Sequence, residues 1–184
     1  MNNIKKLFGL KASSIIVWVF LLLFSLSLAF LISCRFSKTD NKENLRTNTN
    51  WVVSSIKDDS ALKADDLKGK IAVIHFFAGW CPPCRKEFPE FIQWAKANSK
   101  RDDLFIVPIS LDKNKSDADK FFSQYEQEIK CYFDKGAAAS SFNINGIPTT
   151  IILDKSGNIV FKREGAVDWT GGKVDKEIEK IKDK

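Results

Sequence analysis

The pattern of apolar and polar positions changes character sharply along the chain. From Ala12 to Ser33 no residue is charged, and 17 of these 22 are apolar, the other five being serine. At ~1.5 Å per residue a helix of this length covers the ~30 Å hydrocarbon layer of a bilayer. From Arg35 to Asn50 the pattern inverts to RFSKTDNKENLRTNTN, with Phe36 and Leu45 its large apolar residues. That composition predicts a solvated linker. Beyond it, short apolar runs alternate with amphipathic stretches. The expected division is a membrane anchor or lipoprotein signal over 1–33, a polar linker over 34–50 and one folded domain over 51–184.

Within the domain, Ile71–Phe77 (IAVIHFF) is a nearly continuous apolar run between Gly69 and Gly79, the pattern of a strand buried on both faces. A helix is predicted after Cys81, because Cys84, Phe88, Phe91, Ile92 and Ala95 recur on one helical face. Pro82 and Pro83 suit its first turn, and Pro89 predicts a bend. Leu104–Leu111 reads as a strand, although Pro108 argues against a fully paired interior one. Ser116–Asp119 has the form of a capping box opening a short helix with Phe121, Phe122 and Tyr125 on its core side. Ile129–Phe133 reads as a short strand and Ala137–Phe142 as a helical turn or two. A hairpin follows, with Thr149–Leu153 and Ile159–Arg163 joined through Asp154–Asn158. Val174, Ile178 and Ile181 predict a last amphipathic helix with Thr170 as a candidate cap, and Trp51–Leu67 an edge hairpin. The sum is an α/β sandwich with a central mixed sheet flanked by helices.

Charge adds direction. The full chain has a formal net charge of +6 over 184 residues. Lys5, Lys6 and Lys11 precede the apolar segment, which predicts a cytoplasmic N-terminus and an exported domain. Residues 34–184 hold 26 basic and 23 acidic side chains, a balance of +3, with no basic stripe interleaved with aromatics. Nucleic acid is therefore not an expected partner. The domain is expected to be tethered to the cytoplasmic membrane, facing the periplasm or cell exterior. Alternatively, Leu31-Ile-Ser-Cys34 resembles a lipobox, making Cys34 a lipidation candidate. Either arrangement puts the domain where disulfides persist.

The chemistry lies in Trp80-Cys81-Pro82-Pro83-Cys84, where the buried strand turns into a helix. Helix-start N–H groups and the positive end of the dipole stabilise a thiolate. Cys81 is expected to be exposed and acidic, and Cys84, one turn on, to be buried and held as a thiol. One sulfur attacks a partner disulfide and the other resolves the mixed disulfide. Arg85 and Lys86 add positive charge nearby. Half of a zinc site is the competing reading of such a pair, but a zinc site needs a second pair of ligands. The chain offers His75, Cys131 and the distant Cys34, so no metal and no cofactor are expected. Cys131 is expected to be a free, buried thiol.

Leu67–Phe91 (LKGKIAVIHFFAGWCPPCRKEFPEF) together with Asn145–Val160 (NGIPTTIILDKSGNIV) resembles the membrane-tethered thioredoxin-like proteins of the TlpA/ResA/CcmG group, and Ala166-Val-Asp-Trp169 further resembles the TlpA branch. The resemblance implies a thioredoxin fold with an N-terminal β-hairpin extension and an inserted helix–strand element. It also implies a cis peptide at Ile147–Pro148 beside the cysteines, with Trp80, Pro82, Pro83, Ile147 and Pro148 meeting the partner. A proline offers no N–H, which leaves the Ile147 backbone to an extended partner peptide. The implied activity is reduction of protein disulfides, in apocytochrome c haem sites or in copper-site assembly proteins. Electrons would come from a membrane thiol carrier of the CcdA/DsbD kind. A copper chaperone and a thiol peroxidase on the same fold are the alternatives. The first typically needs three residues between its cysteines, where this chain has two.

Two further residues bear on proton transfer. His75 is the sole histidine, in a strand position where cytosolic thioredoxins hold a buried acid. It is either a proton acceptor for Cys84 or a neutral ring filling space. Glu87 lies one helical turn past Cys84. In ResA-like proteins the matching glutamate is implicated in proton handling, whereas its charged neighbours Arg85 and Lys86 fit a solvated surface position.

Overall fold

The computed structural model describes residues 50–125 and 129–182. The expected anchor, Cys34 and all of the linker but Asn50 lie outside the described residues, among which no helix is long and apolar enough to cross a membrane. The chain forms β1 (Val52–Ser55), β2 (Ala61–Lys63), a 3-10 turn (Ala64–Leu67), β3 (Ile71–Phe77), α1 (Pro82–Asn98), β4 (Leu104–Ser110) and α2 (Lys115–Phe122). It continues through β5 (Tyr132–Phe133), α3 (Ala137–Ser141), β6 (Thr149–Leu153), β7 (Ile159–Glu164) and α4 (Lys173–Lys182). The strands make one mixed sheet in the order β2-β1-β5-β4-β3-β6-β7. β3 is parallel to β4 and β4 to β5, and the remaining pairs are antiparallel.

β3 occupies the middle of the sheet, and every one of its residues is buried. Its alternation divides the core. Ile71, Val73 and Phe77 pack with α1, α2 and α4, while Ala72, Ile74 and Phe76 pack with β1, α3 and the 3-10 turn. By this register His75 faces α1, where its ring stacks at 4.6 Å on Phe91. α1 buries the face that its spacing predicts, and Glu87 and Trp94 with it. The helix runs on through Pro89, which is exposed and offers no N–H to the Arg85 carbonyl.

Several boundaries differ from the sequence reading. Pro108 does lie in an interior strand. β5 pairs with β4 only at Ile109 and Ser110, so the proline falls just outside that ladder. The strand expected over Ile129–Phe133 is reduced to Tyr132–Phe133. α2 starts earlier than the expected capping box, because Asn114 is its N-cap and accepts the Asp117 N–H at 2.9 Å. Thr170 does not cap α4. Asp168 accepts the Thr170 N–H, the Thr170 hydroxyl and the Gly171 N–H, closing a turn before the helix opens at Lys173.

Candidate active site

The cysteine pair sits where β3 ends, and local backbone bonding fixes that turn. The Cys81 N–H donates to Ala78 O at 3.1 Å, and Arg85 N–H to Cys81 O at 3.0 Å. Gly79 N–H donates to both carboxylate oxygens of Asp112, at 3.1 and 3.0 Å, and Ser110 Oγ donates to the same carboxylate at 2.8 Å. Gly79 has no room for a side chain, since a Cβ there would stand 2.8 Å from Phe121 Cβ. Nothing in the sequence marked Asp112 for this task beyond its place just after a strand.

Cys81 is the N-cap of α1, with Pro82 and Pro83 in the first turn. Its Sγ accepts the Cys84 N–H at 3.3 Å, the helix-start interaction that favours a thiolate. Cys81 and Cys84 are joined as a disulfide, with their Cα atoms 5.3 Å apart. The expectation of an exposed Cys81 needs correction: it is 3% exposed and Cys84 0%. The cause is the Asn145–Pro148 segment, which stands over the pair and brings Ile147 O to 3.6 Å from Cys81 Sγ. The Ile147–Pro148 peptide is cis, as the resemblance implied. Trp80, 65% exposed, forms the outer wall. Together with Leu111, Pro82, Pro83, Ile144 and Ile147 it lines a shallow, largely apolar recess of about 460 Å³ above Cys81. A larger recess of about 870 Å³, between the starts of α2 and α3, contains no sulfur. Its carboxylates Asp112 and Asp134 are already bound to backbone N–H groups.

Beneath the cysteines, His75 and Glu87 meet. His75 Nε2 lies 3.3 Å from Glu87 Oε1, and the side chains are 0% and 5% exposed. The surface reading of Glu87 is thereby excluded, because the chain after β7 folds over it and the Val167 N–H donates to Oε2 at 2.8 Å. Burial raises the Glu87 pKa to about 7, helped by Glu90 and opposed by the Val167 N–H and the Trp169 indole. Burial alone lowers His75 to about 3, so the ring is neutral at ordinary pH. Its Nδ1 is 3.1 Å from Thr150 Oγ1. Sequence reasoning missed Thr150, Val167 and Trp169, which the fold draws from β6 and the connection to α4. Cys131 is a free, buried thiol whose pKa burial pushes up, outside this constellation. The chemistry available is dithiol–disulfide exchange, with a titratable buried carboxyl within a helical turn of the inner sulfur.

Comparison with known proteins agrees. The thioredoxin-like family model matches residues 69–159. The thiol-disulfide oxidoreductase ResA of Oceanobacillus iheyensis is 32% identical over 116 residues, which span 62% of this chain but only 60% of that protein. ResA of Bacillus cereus is 26% identical over 147 residues, 79% of this chain and 83% of its own. A Chlorobium tepidum structure assigned as thiol:disulfide interchange protein DsbE superposes with a TM-score of 0.63 at 26% identity, covering 72% of this chain and 92% of that one. With a seven-stranded mixed sheet, a C-x-x-C pair capping its first long helix and a facing cis-proline segment, the chain is a ResA/CcmG-like protein of thioredoxin fold.

Proposed function

We propose that the protein is a thiol–disulfide oxidoreductase that reduces disulfides in partner proteins. The observation that carries this reading is the asymmetry of the pair. Cys81 Sγ caps α1 under the recess and takes the Cys84 N–H at 3.3 Å, whereas Cys84 is fully enclosed. The reduced Cys81 thiolate attacks one sulfur of the partner disulfide, and the other leaves as a thiolate. Cys84 then loses its proton to Glu87 and attacks Cys81 Sγ. The partner sulfur that Cys81 had attacked leaves as the second thiolate, and the enzyme keeps the disulfide. Two electrons pass to the partner in each cycle, and a dithiol donor restores the pair. The apolar recess flanked by Trp80 and Ile147 accommodates an extended segment around the partner cysteine.

The ResA-named relatives and the family resemblance favour apocytochrome c haem-site cysteines, or proteins that assemble copper sites, as the disulfides reduced. The family resemblance favours a membrane thiol carrier of the CcdA/DsbD kind as donor, and the uncharged segment Ala12–Ser33 favours tethering of the domain outside the cytoplasm. Trapping with Cys84→Ser in the native membrane is the test. The variant is expected to accumulate a mixed disulfide between Cys81 and its partner, identifiable by mass spectrometry. Alkylatable Cys81 without any captured protein overturns the reading.

A further inference from the structure

Dithiol exchange by itself leaves His75 and the Ala166–Trp169 segment without a task, yet both close on Glu87. The two carboxyl oxygens are treated differently. Oε2 has a backbone donor, the Val167 N–H at 2.8 Å. Among the described residues Oε1 has no hydrogen-bond partner, nor has the Trp169 indole N–H, and the same is true of His75 Nε2, although Oε1 and Nε2 stand 3.3 Å apart. Buried polar atoms left unpaired are costly, and here each is the complement of the other. A small closure of this long contact satisfies both in a single step.

The environment decides which way the proton points. The His75 ring lies among Phe77, Phe88, Phe91 and Trp169, and the carboxylate that meets it is Glu87. A neutral imidazole presents one N–H. If that hydrogen is on Nε2, Nδ1 is an acceptor for the Thr150 hydroxyl 3.1 Å away. The other charged groups nearby are engaged elsewhere or disfavour ionisation. Asp168 is turned into its own loop, Asp175 accepts the Trp94 indole N–H, and Glu90 on the same helix raises the Glu87 pKa.

We propose that His75 is a positioning residue for Glu87. Its Nε2–H donates to Oε1 and, with the Val167 N–H on Oε2, holds the carboxylate where it accepts the Cys84 proton. The proposal rests on the exchange reaction above. The Cys84 S–H bond breaks, the proton goes to the Glu87 carboxylate, and the thiolate left behind attacks Cys81. His75 is thus a donor to the base and does not itself take the proton, which its neutral burial disfavours. Cys84 and Glu87 are three residues apart on α1, which places their side chains ~5–6 Å from each other at Cβ.

The test follows the Glu87 carboxyl directly, by infrared difference spectroscopy of the reduced full-length protein, its band assigned by loss in Glu87→Gln. In parallel, the rate of mixed-disulfide resolution is measured against pH. His75→Leu removes a donor to the charged form, and a hydrogen bond to the charged form is worth more than one to the neutral form. The carboxyl midpoint is expected to rise by about one pH unit, and resolution below that midpoint to slow by up to about tenfold. His75→Gln, whose amide N–H replaces Nε2–H, is expected to restore both. An unmoved midpoint in His75→Leu, or His75→Gln displaced as far as His75→Leu, overturns the proposal. Failure of the exchange reading looks different, because the carboxyl then responds as described while wild-type Cys81 forms no mixed disulfide with any partner.

Discussion

The buried pair ties stability to pH in a way that the single variants unmask. Glu87 titrates at 4.5 when unfolded and at about 7 when folded. A raised folded pKa means that the folded protein binds more protons, so this contribution is complete below pH 4.5 and is lost as pH rises towards 7. His75 behaves oppositely, at 6.5 unfolded and about 3 folded. Its depressed pKa contributes stability that is complete above pH 6.5 and is lost as pH falls towards 3. Between pH 4.5 and 6.5 the unfolded pair holds one proton, on His75, and the folded pair also holds one, on Glu87. The two slopes cancel there, and the pair leaves wild-type stability flat.

Removing one partner exposes the slope of the other. At 1.36 kcal/mol per unit, the interval between the two unfolded pKa values corresponds to about 3 kcal/mol for each side chain. Relative to wild type, Glu87→Gln is expected to gain about that much from pH 4.5 to 6.5, and His75→Leu to lose about that much. Urea unfolding of the oxidised proteins at a series of pH values measures this, the disulfide keeping Cys81 and Cys84 from titrating. Curves for both variants that run parallel to wild type across the interval refute the reasoning, since neither group would then differ between the folded and unfolded states.

Other outcomes follow from single contacts. Gly79→Ala sets a Cβ 2.8 Å from Phe121 Cβ. It is expected to cost about 1–3 kcal/mol in urea unfolding, as overpacking does. Asp134 accepts the Ala138 and Ala139 N–H groups at 3.2 and 2.7 Å, closing the start of α3. Asp134→Ala is expected to cost ~1 kcal/mol, as losing a cap does, read from the same assay. Cys131 is enclosed and its thiol is held protonated by burial. It is expected to resist maleimide in the native protein and to react fully in urea, by peptide mass spectrometry.

Periodicity carried most of the fold, because its elements satisfy local rules. β3 is legible from seven apolar-rich residues between glycines, and α1 from one apolar face after two prolines. The elements misjudged at their ends are those set by a side chain reaching over the backbone. Asn114 starts α2 ahead of the expected box, and Asp168 binds Thr170 into a turn ahead of α4. Pro108 misled because the paired length of β5, and hence which part of β4 is an interior strand, depends on a partner distant in sequence.

The site divides along the same line. Cys81 and Cys84 declare themselves because a C-x-x-C at a strand-to-helix junction is a local statement. Glu87 is legible only in part, since the resemblance marks it while Arg85 and Lys86 before it fit a solvated helix face equally well. What buries it is the chain near residue 167, eighty positions on, which lays the Val167 N–H on Oε2 and Trp169 against the His75 ring. The same distant closure turns an ordinary surface glutamate into a group that titrates near neutrality next to the inner sulfur. A histidine in β3 differs here from an apolar residue because a neutral imidazole carries an N–H that can join the Val167 N–H around the Glu87 carboxyl. The polar residues of this site are therefore best understood as one unit. The cysteines define the dithiol chemistry, and the fold encloses beside them a carboxyl whose ionisation is set by burial, by its helix neighbour Glu90 and by Val167 and Trp169 from the distant connection.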